Sequence, residues 1–130
     1  MTTVIDPAGS PIPVFNRSGK TIVEVTDSRD GSGSPLQLTQ YSEQTYYEIA
    51  FTYPGGGVGT PKVELPSNAE IGDEIIINFT LPASMNVIAA VGETIMVDAG
   101  TTLTPSSPLS ANAFRAIRRN STSWRLLHVS

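Results

Sequence analysis

From Lys62 to Phe79 the chain reads Lys-Val-Glu-Leu-Pro-Ser-Asn-Ala-Glu-Ile-Gly-Asp-Glu-Ile-Ile-Ile-Asn-Phe, and no other stretch constrains the fold as strongly. Ile75, Ile77 and Phe79 recur with a period of two, which gathers them on one face of an extended strand. Pro66, Ser67, Asn68 and Gly72 separate this run from the apolar positions Val63 and Leu65, and each favours a turn for its own backbone or side-chain reason. The expectation is strand, connection, strand, with the two strands paired at the base of the core.

The same grammar extends along the chain. Thr45 to Tyr53 sets Tyr47, Ile49, Phe51 and Tyr53 against Tyr46, Glu48, Ala50 and Thr52, the alternation of a half-buried strand. Leu36-Gln37-Leu38 is a short strand candidate, and Asn16-Arg17-Ser18-Gly19 between Val14-Phe15 and Thr21 to Val25 reads as the turn of a first hairpin. Gly72-Asp73-Glu74-Ile75 and Gly92-Glu93-Thr94-Ile95 repeat one phrase; two copies are too few for a solenoid, so hairpin repetition is the simpler account. Residues 112–118 and 124–129 form an expected terminal hairpin, anchored in the core by Phe114, Ile117 and Trp124.

The first 13 residues differ in kind. Pro7, Pro11 and Pro13 with Gly9 oppose helix and favour an extended arm. Such an arm cannot stabilise itself, and Val4, Ile5, Pro11, Ile12, Pro13 and Phe15 are its candidate partner-binding residues. The expected fold is therefore all-β, a small antiparallel sandwich or barrel over residues 14–130, preceded by an extended arm over residues 1–13. A length of 130 residues suits one such domain.

Composition removes several classes of chemistry. With no cysteine there are no disulfides, thiolate metal sites or thiol nucleophiles, and the single histidine makes a zinc site improbable. Neither a basic, apolar leader nor a run long enough to span a bilayer is evident, so no membrane partner is expected. The net charge is −4, with all 12 acidic residues before position 99 and Arg115, Arg118, Arg119 and Arg125 after position 114. A basic end on an acidic body suits nucleic acid, an acidic protein partner or pairing between subunits. Four arginines, however, make a thin footprint for a phosphate backbone, so no nucleic-acid partner is expected and the preferred reading has these side chains pointing outward from two strands into water.

Each chemical motif has a plainer alternative. The loop Asp27 to Pro35 carries two aspartates, but not at calcium-loop spacing. Pro54 to Lys62 is glycine-rich, yet Pro61 and a strand follow it where a phosphate loop needs Gly-Lys-Ser/Thr and a helix. Tyr46, Tyr47 and Tyr53 are either a ligand platform for a glycan or a core row, and core is the preferred reading. Asp27, Asp30, Glu70, Asp73 and Glu74 would act as a hydrolytic pair only if two of them faced each other across a cleft. His128 has no adjacent serine or carboxylate. No enzyme activity, cofactor or metal is expected.

One family resemblance emerges from these motifs. Val63-Glu64-Leu65-Pro66, then Ala69-Glu70-Ile71-Gly72-Asp73-Glu74-Ile75, then Gly92-Glu93-Thr94-Ile95, Ala99-Gly100-Thr101-Thr102-Leu103, Phe114 and the closing turn to Trp124 resemble the β-rich modules of tailed-phage virion proteins over residues 62–130. The front, Asp6 to Gly19, is similar to the start of small phage head decoration, or cement, proteins. The resemblance implies a structural protein of the virion, made in the host cytoplasm, that sits as a homotrimer on the outer capsid surface, binds the major capsid protein and stabilises the head. The alternative within the same resemblance is a receptor- or glycan-binding domain of a head or tail fibre.

Overall fold

The computed structural model describes residues 2–5, 11–17, 19–52, 59–81, 84–98, 101–103 and 109–130, and the side chains of residues 1–18, 81, 98 and 101 lie outside that description. The described part is all-β, without a helix. Its strands are β1 (Thr2–Ile5), β2 (Pro11–Arg17), β3 (Lys20–Ser28), β4 (Leu36–Gln37), β5 (Gln44–Thr52), β6 (Lys62–Glu64) and β7 (Glu74–Leu81). They continue with β8 (Met85–Ile88), β9 (Thr94–Asp98), β10 (Thr101–Leu103), β11 (Leu109–Ala111), β12 (Ala113–Asn120) and β13 (Ser123–Val129). Two open sheets result: a nine-stranded sheet in the order β1, β2, β3, β5, β7, β12, β13, β9, β10, and a four-stranded sheet in the order β11, β8, β6, β4.

The antiparallel expectation is corrected: both sheets are mixed. β3, β5 and β7 run parallel, with Lys20, Gln44 and Glu74 in register, and so do β4, β6 and β8, with Leu36, Val63 and Val87 in register. From β3 to β8 the chain alternates between the long and the short sheet, so strands consecutive in sequence do not pair there. The paired strands proposed across Lys62 to Phe79 are both present, as β6 and β7, but they lie in different sheets. A parallel neighbour needs a crossover, and here the crossover is a strand of the other sheet.

The repeated Gly-acid phrase marks strand entry, not hairpin repetition. Gly72 and Gly92 have φ of 96° and 82°, the left-handed region that favours glycine, and each leads into a long-sheet strand, β7 or β9. True hairpins occur at the ends. β2 and β3 pair antiparallel through Arg17 and Lys20 as expected, and β12 pairs with β13 from Phe114 to Asn120. β1 pairs antiparallel with β2, so the segments Thr2–Ile5 and Pro11–Arg17 are extended and laddered at the edge of the long sheet.

The alternation read from the sequence sets the core. Val23 and Val25, Tyr47, Ile49 and Phe51, and Ile75, Ile77 and Phe79 are buried on the long sheet, and they form one cluster with Leu36, Val63, Met85 and Val87 of the short sheet. Burying side chains of this size contributes roughly 1.5–3 kcal/mol each, before ordering entropy is set against it. Tyr53 lies outside the described residues. Ile117, expected as an anchor, is half-buried, because Phe114, Ala116 and Arg118 hold the inward phase of β12.

One loop contact is tight enough to predict an effect. A Cβ on Gly31 would lie 2.7 Å from the Thr60 nitrogen and 2.9 Å from its carbonyl oxygen, both backbone atoms that cannot rotate away. Gly31→Ala is expected to cost about 1–3 kcal/mol in urea unfolding. Gly33→Ala in the same loop, with nothing within 4 Å of its Cβ, is expected to stay within about 0.5 kcal/mol of the wild type.

Candidate functional site

Val4, Ile5, Pro11, Ile12, Pro13 and Phe15 fall in β1 and β2. The register sets Val4 opposite Ile12, Ile5 opposite Pro11 and Phe15 opposite Ile22. All six positions therefore belong to one strand pair at the end of the long sheet, with β1 outermost. Their side chains lie outside the described residues.

Of the carboxylates singled out from the sequence, Glu70 and Asp73 line one hollow of about 320 Å³ together with Glu43, while Asp27, Asp30, Asp73 and Glu74 each hold a loop or strand end. Asp27 pairs with Arg29 at 3.0 Å, and the Arg29 guanidinium lies 5.6 Å from the Phe51 ring centre. Asp30 accepts the Ser32 backbone N–H at 2.8 Å. Asp73 Oδ2 accepts the Glu70 backbone N–H at 2.9 Å, which closes the turn before β7, and Glu74 pairs with Arg115 at 2.7 Å. Of the three tyrosines proposed as a platform, Tyr47 is buried, its hydroxyl accepting from the Thr39 N–H at 2.9 Å and donating to the Thr39 carbonyl at 3.1 Å. Tyr46 stays half-buried on the opposite face of β5.

A cleft that sequence reading missed runs along the short sheet. Gln37, Leu38, Thr39, Glu64, Ser67 and Asn68 line a hollow of about 470 Å³, and Gln37 and Glu64 also line a neighbouring one of about 410 Å³ beside Arg29 and Ser34. Asn68 is fixed there because its amide imitates a strand neighbour: Oδ1 accepts the Gln40 N–H and Nδ2 donates to the Gln40 carbonyl, both at 3.0 Å. The walls offer hydrogen bonds and one carboxylate, with no nucleophile and base in contact. Glu64 and Gln37 are adjacent only because β4 and β6 pair in register, a fact their sequence positions do not carry.

Desolvation pushes the Glu64 carboxyl above its ordinary value of 4.5, the Glu93 charge pushes it further in that direction, and a hydrogen bond from Gln37 opposes both. The folded state thus holds this proton more tightly than the unfolded chain does. The resulting stabilisation is complete below pH 4.5 and is lost as pH rises through the elevated value. Glu64→Gln is therefore expected to raise the melting temperature slightly at neutral pH, and thermal melts should find that gain fading toward pH 4.

The strongest polar assembly lies in the core. Arg118, expected in water, is 1% exposed, and this corrects the outward reading of the C-terminal arginines. Its Nη1 donates to Glu93 Oε1 at 2.7 Å, its Nη2 donates to Glu93 Oε2 at 3.2 Å and to the Ser121 carbonyl, and the guanidinium stands 5.3 Å from the Trp124 ring centre. Arg118 Nε and Trp124 Nε1 have no hydrogen-bond partner among the described residues. The physical cause is phase: Arg118 follows Phe114 and Ala116 on the inward side of β12, and Glu93, in the turn before β9, supplies the opposing charge. Arg115 and Arg119 remain exposed, and Arg125 is half-buried.

The assembly ties β12, β13 and the entry to β9 together, and its charges neutralise each other. It fastens strands and presents no reactive group to a substrate. Compared with known proteins, the chain matches no family model, no curated protein and no solved structure.

Proposed function

We propose that this chain is a structural protein of a tailed-phage head that binds the outer capsid surface and stabilises it. In this reading the two sheets pack as a β-sandwich, the major capsid protein is the partner, the capsid surface of the virion is the location, and no chemistry is performed. The observation that carries the reading is the edge position of the N-terminal strand pair. Val4, Ile5, Pro11, Ile12 and Pro13 lie at the outer end of the long sheet, where β1 has a strand neighbour on one side only among the described residues. A strand so placed offers backbone groups and alternate side chains to a neighbouring subunit, the mode of recognition in which an extended segment adds to a sheet edge. The carboxylates of Asp27, Asp30, Asp73 and Glu74 support the same reading, since each of these four is engaged in a turn or strand-end contact.

The test is addition of the purified protein to undecorated heads. Binding, together with a higher temperature for head disruption, is the expected result; absence of both removes the reading. Deletion of residues 1–12 is expected to weaken capsid binding by about ten-fold or more, at roughly 1.4 kcal/mol per factor of ten. The fold is expected to survive, because Val23, Val25, Tyr47, Ile49, Ile75 and Ile77 form one cluster with Leu36, Val63 and Val87 of the short sheet. Equal affinity of the truncated chain would take the arm out of the mechanism.

A further inference from the structure

We propose that the outer face of the long sheet is a self-association surface, which pairs two copies of this chain about a two-fold axis passing beside Ile76. The surface goes beyond the capsid reading and stands whether or not the protein binds a head.

The register defines this face. Ile22, Tyr46 and Ile76 are partners on β3, β5 and β7, all on the side away from the core, and they form an apolar row with Ile22 42% exposed and the other two half-buried. Two residues further along the strands, Glu24 and Glu48 stand side by side on β3 and β5. Two residues in the opposite direction, Glu74 on β7 is in register with Ile117 on β12, and Ile117 with Arg125 on β13. Neither Glu24, Glu48 nor Arg125 makes an ion pair among the described residues. The face therefore has an acidic pole, an apolar middle and a basic pole.

The poles are placed symmetrically. Glu24 lies two strands from β7 in one direction and Arg125 two strands in the other, each offset from Ile76 by two residues and in opposite senses. At about 4.8 Å per strand and about 3.3 Å per residue, each stands roughly 12 Å from Ile76 on a line through it. A two-fold axis lying in the face, perpendicular to that line, sets Glu24 of one copy over Arg125 of the other, and the reverse. The same rotation brings Glu48 toward Arg125, Arg115 and His128 of the second copy, sets Ile76 against its own copy and carries Ile22 of each copy over Ile117 of the other. Glu24 and Glu48, which repel each other within one chain, are neutralised in the pair. A second copy is thus the occupant whose charges this face complements.

Sedimentation velocity over a concentration series tests the proposal. The wild type is expected to dimerise, and to lose about ten-fold or more in association between about 0.05 M and about 0.5 M salt. Glu24→Arg alone and Arg125→Glu alone are each expected to weaken the dimer by about ten-fold or more, with thermal melts confirming that both variants fold. An equimolar mixture of the two variants is expected to dimerise again, because every cross-contact at these positions is then attractive. A wild type that stays monomeric, a trimer, a dimer indifferent to both reversals, or a mixture no stronger than its components would each overturn the proposal.

Discussion

Glu93→Ala is expected to destabilise the protein by about 3–5 kcal/mol, because it leaves the Arg118 guanidinium buried without its counter-charge. Arg118 is 1% exposed and donates to both oxygens of Glu93, so removing the carboxylate strips the buried guanidinium of its only anionic partner among the described residues. The converse change, Arg118→Met, is expected to cost less, since the Glu93 side chain is 11% exposed and retains some access to solvent. Combining Arg118→Met with Glu93→Leu removes both charges. Replacing a buried pair by apolar groups of similar volume is often neutral or favourable, so the double variant is expected to regain most of the loss. Urea unfolding followed by the fluorescence of Trp124, the only tryptophan, measures all three. If the double variant is no more stable than Glu93→Ala, the pair is held by packing and its charges are incidental.

Trp124→Ala is expected to cost about 3–5 kcal/mol, from lost burial plus the cavity left beneath β12 and β9. Trp124 is fully buried, registers with Arg118 on one side and Ile95 on the other, and covers the guanidinium with its ring. Trp124→Phe is expected to cost much less. It keeps an aromatic face for the cation and removes Nε1, a buried donor with no partner among the described residues. Circular dichroism in urea reads both, since fluorescence is lost with the indole. A Phe variant as unstable as the Ala variant would show that ring size, and not the cation contact, sets the energy.

Several features were legible in the residues alone. The inward set Tyr47, Ile49, Phe51 and the set Ile75, Ile77, Phe79 are buried as their period of two requires. The first and last hairpins follow from turn residues between apolar runs, and in both of them strands adjacent in sequence pair. The central strands defeated the same logic. Backbone hydrogen bonds carry no residue identity, so nothing in Lys62 to Phe79 says that β6 joins β4 and β8 while β7 joins β5 and β12. The cleft at Glu64 was hidden for the same reason.

Arg118 separates the two kinds of information within a single residue. Phe114, Ala116 and Arg118 share a phase, so the inward position was written in the sequence, while its charge argued for water. The conflict is resolved by Glu93, 25 residues away along the chain and brought close only when β9 settles beside β13. The sequence by itself determined where this protein is extended and, through side-chain alternation, which residues face inward, because both are local consequences of the pleat. Only the tertiary structure decided which strands are neighbours and that an arginine belongs in the core, because the first rests on interchangeable backbone groups and the second on a distant carboxylate that offsets desolvation.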